Sequence, residues 1–308
     1  MPLIKGIKTY WEILKQTFSD FIDDKVLKLS ASLAYYTIFS VAPMLIVIIF
    51  FCDLFLGREA IEGTLYSQIK DLVGSDAAIQ VQQMIRNASL SQDMSWATIV
   101  GVVTLIIGAT GVFAEIQDSI NTIWRLKSKP KKGKGLVRMI MNRLQSFSLV
   151  ISMGFILLVS LVVNGIISLL NQHIANLFPQ VAMIFVYLLN WAITFVVITA
   201  LFAIIFKVLP DARIRWRDVI VGAIATAILF MLGKFAIGVY LGASKISSTY
   251  GAAGSIVIIL LWVYYSAAIL YFGAEFTRVH VQHFGARIYP NDYAVWIKQV
   301  EVEEETMN

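Results

Sequence analysis

Ser255-Ile-Val-Ile-Ile-Leu-Leu-Trp-Val-Tyr-Tyr-Ser-Ala-Ala-Ile-Leu-Tyr-Phe-Gly-Ala274 is a run of 20 residues without a single Asp, Glu, Lys or Arg. A helix rises about 1.5 Å per residue, so about 20 mostly apolar residues cross the roughly 30 Å hydrocarbon layer of a membrane. Lipid offers the backbone no hydrogen bonds, so such a run must satisfy its own N–H and C=O groups, which a helix does. The run also lacks the alternation of a barrel strand. Five more stretches pass the same test. The six run roughly from Ser30 to Leu56, Trp96 to Ile123, Gln145 to Leu170, Val181 to Val208, Val219 to Ala243 and Gly254 to Thr277. The predicted fold class is all-α, a polytopic membrane protein with six transmembrane helices.

Composition agrees. Of 308 residues, 58% are hydrophobic and 15% charged, with a mean hydropathy of +0.75. A soluble domain is about 45–50% apolar and roughly 25% charged. Disorder is excluded by the same numbers. Cys52 is the only cysteine, which excludes a disulfide scaffold. Three histidines (His173, His280, His283) and one cysteine make a structural zinc site a poor reading.

Lysine and arginine set the orientation. Five precede the first span, eight lie between the second and third, four between the fourth and fifth, and three follow the sixth. The opposite side holds only Arg58, Lys70, Arg86 and Lys245, and Lys234 falls inside a span. By the positive-inside rule both termini are expected on the cytoplasmic side. Nothing near the start resembles a cleaved signal peptide, so the first span is expected to stay.

Three parts lie outside the spans. Residues 1–29 form a cytoplasmic segment in which Leu3, Ile7, Trp11, Leu14, Phe18 and Phe21 recur at helical spacing among Lys5, Lys8 and Lys15. That pattern suits an interfacial amphipathic helix on an anionic leaflet, or a helix packed on the bundle. Within the transmembrane domain, 30–277, residues 57–95 read as an extracytoplasmic helical hairpin, either covering the bundle or meeting a partner. Residues 278–308 form a cytoplasmic tail with an acidic end. The loop at Lys129, Lys131 and Lys132, with Arg213 and Arg215, is a set of candidate contacts for anionic lipid. It has no interleaved aromatics for stacking bases, so no nucleic-acid partner is expected.

Charges inside spans are expensive and therefore candidates for function. Glu115, Asp118, Lys234, Glu275 and Asp53 are the candidate polar-cavity or ligand residues. Lys234 matches Asp53 in depth, whereas Glu115, Asp118 and Glu275 lie near the basic loops, above all near Arg125, Arg138 and Arg143. Gly238 and Gly242 form a GxxxG on the fifth span, with Gly238 on the face of Lys234, and predict close approach of another helix there. His280 and His283 stand at i, i+3 with too few further ligands for a metal. No Walker loop, HExxH, GxSxG or CxxC is present, and no cofactor, metal or catalytic residue is expected.

Several of these stretches resemble the YihY/BrkB family of bacterial inner-membrane proteins. They are Leu29-Ser-Ala-Ser-Leu-Ala-Tyr-Tyr-Thr-Ile-Phe-Ser-Val-Ala-Pro43, Phe113-Ala-Glu-Ile-Gln-Asp-Ser-Ile-Asn-Thr-Ile-Trp124, Lys207-Val-Leu-Pro-Asp211, Trp216-Arg-Asp218, Gly233-Lys-Phe-Ala-Ile-Gly-Val-Tyr-Leu-Gly242, Tyr250-Gly-Ala-Ala-Gly-Ser255, Leu261-Trp-Val-Tyr-Tyr-Ser-Ala267 and Phe272-Gly-Ala-Glu-Phe276. The resemblance implies six spans. For function it implies a link to serum resistance and to lipid or lipopolysaccharide in the envelope, alongside an inherited ribonuclease label. The expected function is transport or flipping of an amphipathic anionic envelope molecule. The alternative is a non-catalytic envelope scaffold or assembly factor. A membrane-bound ribonuclease is disfavoured, because the acids form no array like a two-metal nuclease site. Expected partners are membrane lipids, an envelope lipid or lipopolysaccharide ligand, and further copies of the chain.

Overall fold

The long apolar runs fold as helices in a computed structural model of the chain, which describes residues 2–55, 111–129, 179–243, 254–284 and 287–298, together with Ile79. The helices are α1 (Pro2–Asp23), α2 (Val26–Phe55), α3 (111–123), α4 (Pro179–Val208), α5 (Trp216–Ala243) and α6 (Gly254–His283). Among the described residues three segments are long and apolar enough to cross a membrane: Leu188–Val208, Trp216–Leu241 and Ile256–His283. The first expected span coincides with α2, and the second ends in α3. The third span, and the 57–95 hairpin apart from the helical Ile79, lie outside the described residues. The last helix continues six residues beyond the expected boundary at 277.

A purely α fold needs correction. Four short strands form two antiparallel ribbons: β1 (Leu126–Ser128) pairs with β4 (Ala294–Trp296), and β2 (Ala212–Arg213) pairs with β3 (Tyr289–Pro290). The chain after α6 is thereby sewn both to the segment after α3 and to the α4–α5 connection. Backbone bonds from Lys129 N–H to Tyr293 C=O and from Ile297 N–H to Arg125 C=O extend the seam. Strands this short escape detection because no two-residue period can develop in two or three residues.

α6 is the centre of the bundle, packed on α1, α2 and α5, while α5 also packs on α4. Phe206, Val219, Ala223, Tyr271 and Ala274 are fully buried in its core. Large apolar side chains also point outwards, among them Leu188, Val196, Leu232, Phe235 and Val239. On helices of this length that inversion fits a hydrocarbon surrounding rather than water.

The α5–α6 contact rests on a reciprocal pair of small residues. Thr226 Oγ1 donates to the carbonyl of Gly222, and Thr277 Oγ1 donates to that of Gly273, each at 2.7 Å. A Cβ added at Gly222 would collide with Thr277, and one added at Gly273 would collide with Thr226. Two Gly-x-x-x-Thr faces thus interlock, each threonine over the other helix's glycine. Gly238 behaves otherwise than its spacing predicts. It is exposed, and among the described residues nothing lies within 4 Å of a Cβ built on it. Spacing alone identifies a small-residue face without saying which face meets a helix.

Candidate functional site

The two ribbons, the end of α1 and the start of α2 meet at one end of the bundle, where two buried carboxylate sites form. The first is centred on Asp211, which is 1% exposed. Gln117 and Asn121, one turn apart on α3, donate to its two carboxylate oxygens at 2.9 and 3.1 Å. Asn121 Oδ1 accepts from the Asp211 backbone N–H at 2.8 Å, and the Asp211 carbonyl accepts from Asn291 N–H at 2.9 Å. One residue therefore joins α3, the α4–α5 connection and the C-terminal ribbon through neutral amides. Trp124, also at the end of α3, donates its indole N–H to the carbonyl of Ala274 in α6 at 3.0 Å.

The second site is charged. Glu275 is fully buried and Arg278 nearly so. Arg278 Nη2 lies 2.7 Å from Asp20 Oδ2, 2.8 Å from Glu275 Oε2 and 3.6 Å from Asp24 Oδ2. Asp24 Oδ1 is taken by Arg125 at 2.7 Å. Lys25 and Arg125 both adopt positive φ, 52° and 58°. Each ends or follows a helix in the left-handed conformation usually taken there by glycine, at a cost of roughly 1–2 kcal/mol. The strain brings Asp24 and Arg125 to the same place. Satisfaction is incomplete: both Glu275 oxygens, Asp24 Oδ2 and Arg278 Nε are buried without a hydrogen-bond partner. The Arg278–Glu275 contact is close but misaligned, as an i, i+3 pair on one helix often is.

A third polar set lies deeper. Ser119, Tyr265, Ser266 and Tyr271 have buried hydroxyls without hydrogen-bond partners. Tyr271 is beside Ser119 and within electrostatic reach of Glu115. The Tyr265 hydroxyl fills the space where a Cβ of Gly233 would be.

The structure divides the residues singled out in the sequence. Glu275 enters the Arg278 site, and Arg125 meets Asp24. Arg138 and Arg143 lie outside the described residues. Glu115 is half-buried beside Tyr271, while Asp118 is exposed. Lys234 is half-buried on the α5 face that carries Phe230, Ile237 and Leu241. The side chain of Asp53 lies outside the described residues, as do Lys131 and Lys132. Lys129, Arg213 and Arg215 are exposed, and Arg213 is paired with Asp292 at 2.7 Å. His280 stacks among Tyr10, Phe276 and Phe284. Among the described residues no three His, Cys, Asp or Glu side chains converge where a metal ion would sit. Sequence reasoning missed Asp211, Gln117, Asn121, Asp20, Asp24 and Arg278. Gln117, Asn121 and Asp211 lie in the stretches Phe113 to Trp124 and Lys207 to Asp211 that carry the family resemblance, and the i, i+4 amide pair is the local signal that could have singled them out.

Helices α1 and α6 bring in a further feature. Tyr10 contacts His280 and Phe284, Ile13 packs with Phe276 and Val279, and Phe21 contacts Phe272, so α1 runs antiparallel along the end of α6. Its outward stripe, Trp11, Leu14, Phe18 and Ile22, is exposed.

Comparison with known proteins supplies the family. The sequence pattern of "Virulence factor BrkB" matches residues 17–293. A UPF0761 membrane protein of Psychrobacter sp. (strain PRwf-1) is 26% identical over 292 residues, 92% of this chain and 51% of its own length. UPF0761 membrane proteins of Pseudomonas aeruginosa (strain LESB58) and Stenotrophomonas maltophilia (strain K279a) are 29% and 27% identical, across 82% and 83% of this chain and 59% and 57% of theirs. The chain thus spans about half the length of the curated relatives it matches. No solved structure matches. With its apolar helices and a match from the end of α1 to the C-terminal ribbon, the chain is a membrane protein and belongs to the virulence factor BrkB family.

Proposed function

We propose that the chain is a six-span inner-membrane protein, with both termini in the cytoplasm, that transports or flips an amphipathic anionic envelope molecule of lipid or lipopolysaccharide type. The observation that carries this reading is the set of buried hydroxyls of Ser119, Tyr265, Ser266 and Tyr271, none with an aligned hydrogen bond, with Glu115 in electrostatic reach of Tyr271. An unmet polar group in an apolar phase costs about 1–3 kcal/mol. Polar groups buried among these helices suit a path for a polar headgroup whose tails stay in lipid. Lys234 on the half-buried face of α5 would guide an anion, and exposed Lys129, Arg213 and Arg215 would attract anionic lipid at the cytoplasmic rim. α1, packed on α6 by one face, would rest its Trp11–Ile22 stripe in the same leaflet.

The test is translocation of a fluorescent anionic lipid in liposomes holding the full chain. Protein-dependent movement that falls in Lys234→Met and Glu115→Leu supports the reading. No movement of anionic or zwitterionic probes defeats it. Labelling of single cysteines in a Cys52→Ser background, at positions 131 and 215 from inside and at 75 and 171 from outside, tests the orientation.

A scaffold is the second reading, and the Asp211 amide clamp with its two ribbons favours it, since these hold one end of the bundle in a single arrangement. On either reading the chain is not an enzyme. Purified protein supplied with divalent metal should leave RNA intact.

A further inference from the structure

We propose that Asp24 and Glu275 together bind one proton, held between their buried carboxyl groups at the junction of α1 and α6. On the transport reading above, on which this further step rests, that proton is the coupling ion.

The argument is one of charge and satisfaction. Three carboxylates, Asp20, Asp24 and Glu275, meet two guanidinium groups, Arg125 and Arg278. Asp20 is partly exposed and has the best-aligned bond to Arg278, at 2.7 Å. Arg125 is committed to the far oxygen of Asp24. What remains is one shared nitrogen, Arg278 Nη2, facing the near oxygens of Asp24 and Glu275, whose side chains are 5% and 0% exposed. Those oxygens have no hydrogen-bond partner. Two buried anions facing one cation leave an uncompensated charge. A carboxylic acid facing a carboxylate does not, because it donates the missing hydrogen bond.

Among the described residues the other charged groups nearby do not supply the balance. Lys25 and Lys28, which follow Asp24, are exposed. Tyr271, one turn before Glu275 on α6, looks towards Ser119 and Glu115. Asp218 of α5 acts on His280, further along α6. A proton from water is the smallest species that completes the site.

Occupancy would act on the docking of α1. With the proton bound, the pair and Arg278 hold α1 on α6. Once the proton leaves, Asp24 and Glu275 repel, and the link loosens between α1 and the helix that carries Tyr265, Ser266 and Tyr271.

The experiment is infrared spectroscopy of the full chain in lipid nanodiscs, titrated from acidic to alkaline pH. The expected result is a protonated-carboxyl C=O band that persists at neutral pH, disappears in Glu275→Gln, changes in Asp24→Asn and is unchanged in Glu115→Gln. A parent chain without such a band at neutral pH overturns the proposal, as does a band indifferent to both Glu275→Gln and Asp24→Asn. If neither variant accumulates, ¹³C-glutamate and ¹³C-aspartate labelling of the parent and of Glu115→Gln decides. A band that persists in Glu115→Gln and shifts with label supports the proposal, and one that shifts with neither label ends it. A band that behaves as expected in a protein that moves no lipid leaves the proton site standing and removes the transport reading alone.

Discussion

Two carboxylates lie buried at the same end of this bundle and live in opposite conditions. Each carboxylate oxygen of Asp211 accepts from a neutral side-chain amide, that of Gln117 or Asn121. Glu275 is surrounded by like charges and one arginine, and neither of its oxygens holds a hydrogen bond. Satisfied polar groups at low dielectric rigidify what they join, whereas half-satisfied ones store a reason to rearrange. Asp211 is a joint, and Glu275 is placed like a part that works.

Loss of Arg278 breaks the contrast most severely. Arg278→Leu leaves Glu275, Asp24 and Asp20 without their shared cation, and about 3–5 kcal/mol of stability should go with it. Thermal unfolding in detergent would read this as a large fall in Tm or a failure to accumulate. Arg278→Lys should recover only part, because an ammonium is more strongly hydrated than a guanidinium and loses more on burial.

Next comes Asp211→Ala, which orphans the amides of Gln117 and Asn121 together. The expected loss is about 1.5–3 kcal/mol, from charge-assisted hydrogen bonds that are not replaced. The same unfolding measurement applies, and loss of β2–β3 pairing should appear as faster amide exchange at Arg213.

The comparison is sharpest in the isosteric pair Glu275→Gln and Asp211→Asn. Removing charge at Glu275 relieves crowding, so Tm should hold or rise, within about 1 kcal/mol of the parent. At Asp211 the same change turns an acceptor towards a donor of Gln117 or Asn121, and Tm should fall. Equal shifts at the two positions would erase the distinction. Smallest of all is Arg213→Ala, whose pair with Asp292 is exposed on both sides. It should cost no more than about 1 kcal/mol, diminishing further with salt.

Membrane class was legible from composition alone, and α2, α4, α5 and α6 from runs of apolar residues, because lipid imposes a length and a hydrogen-bond rule on each segment separately. Around Asp24, Arg125, Arg213 and Arg278, described parts of four connecting segments meet at one end of the bundle through the Arg125–Asp24 and Arg278–Asp20 pairs and the two ribbons. The polar sites were legible only in part. Glu275 stood out as a charge within a span. Asp20 and Arg278 are 258 residues apart, and Asn121 and Asp211 are 90 apart, and no local period encodes such meetings. Gly238 shows the opposite error, a local motif that the fold leaves open, while Gly222 and Thr277 meet with no GxxxG to announce them.

The two ribbons impose an order on biosynthesis. β3 and β4 are made after every described helix, yet their partners, β2 and β1, are made long before. Translation runs from the N-terminus, so β1 must wait with its edge unpaired while the intervening helices are threaded into the bilayer. The closing strands then act as a completion check. A chain whose helices pack in another arrangement cannot bring β3 and β4 to β2 and β1, and its ribbons stay open.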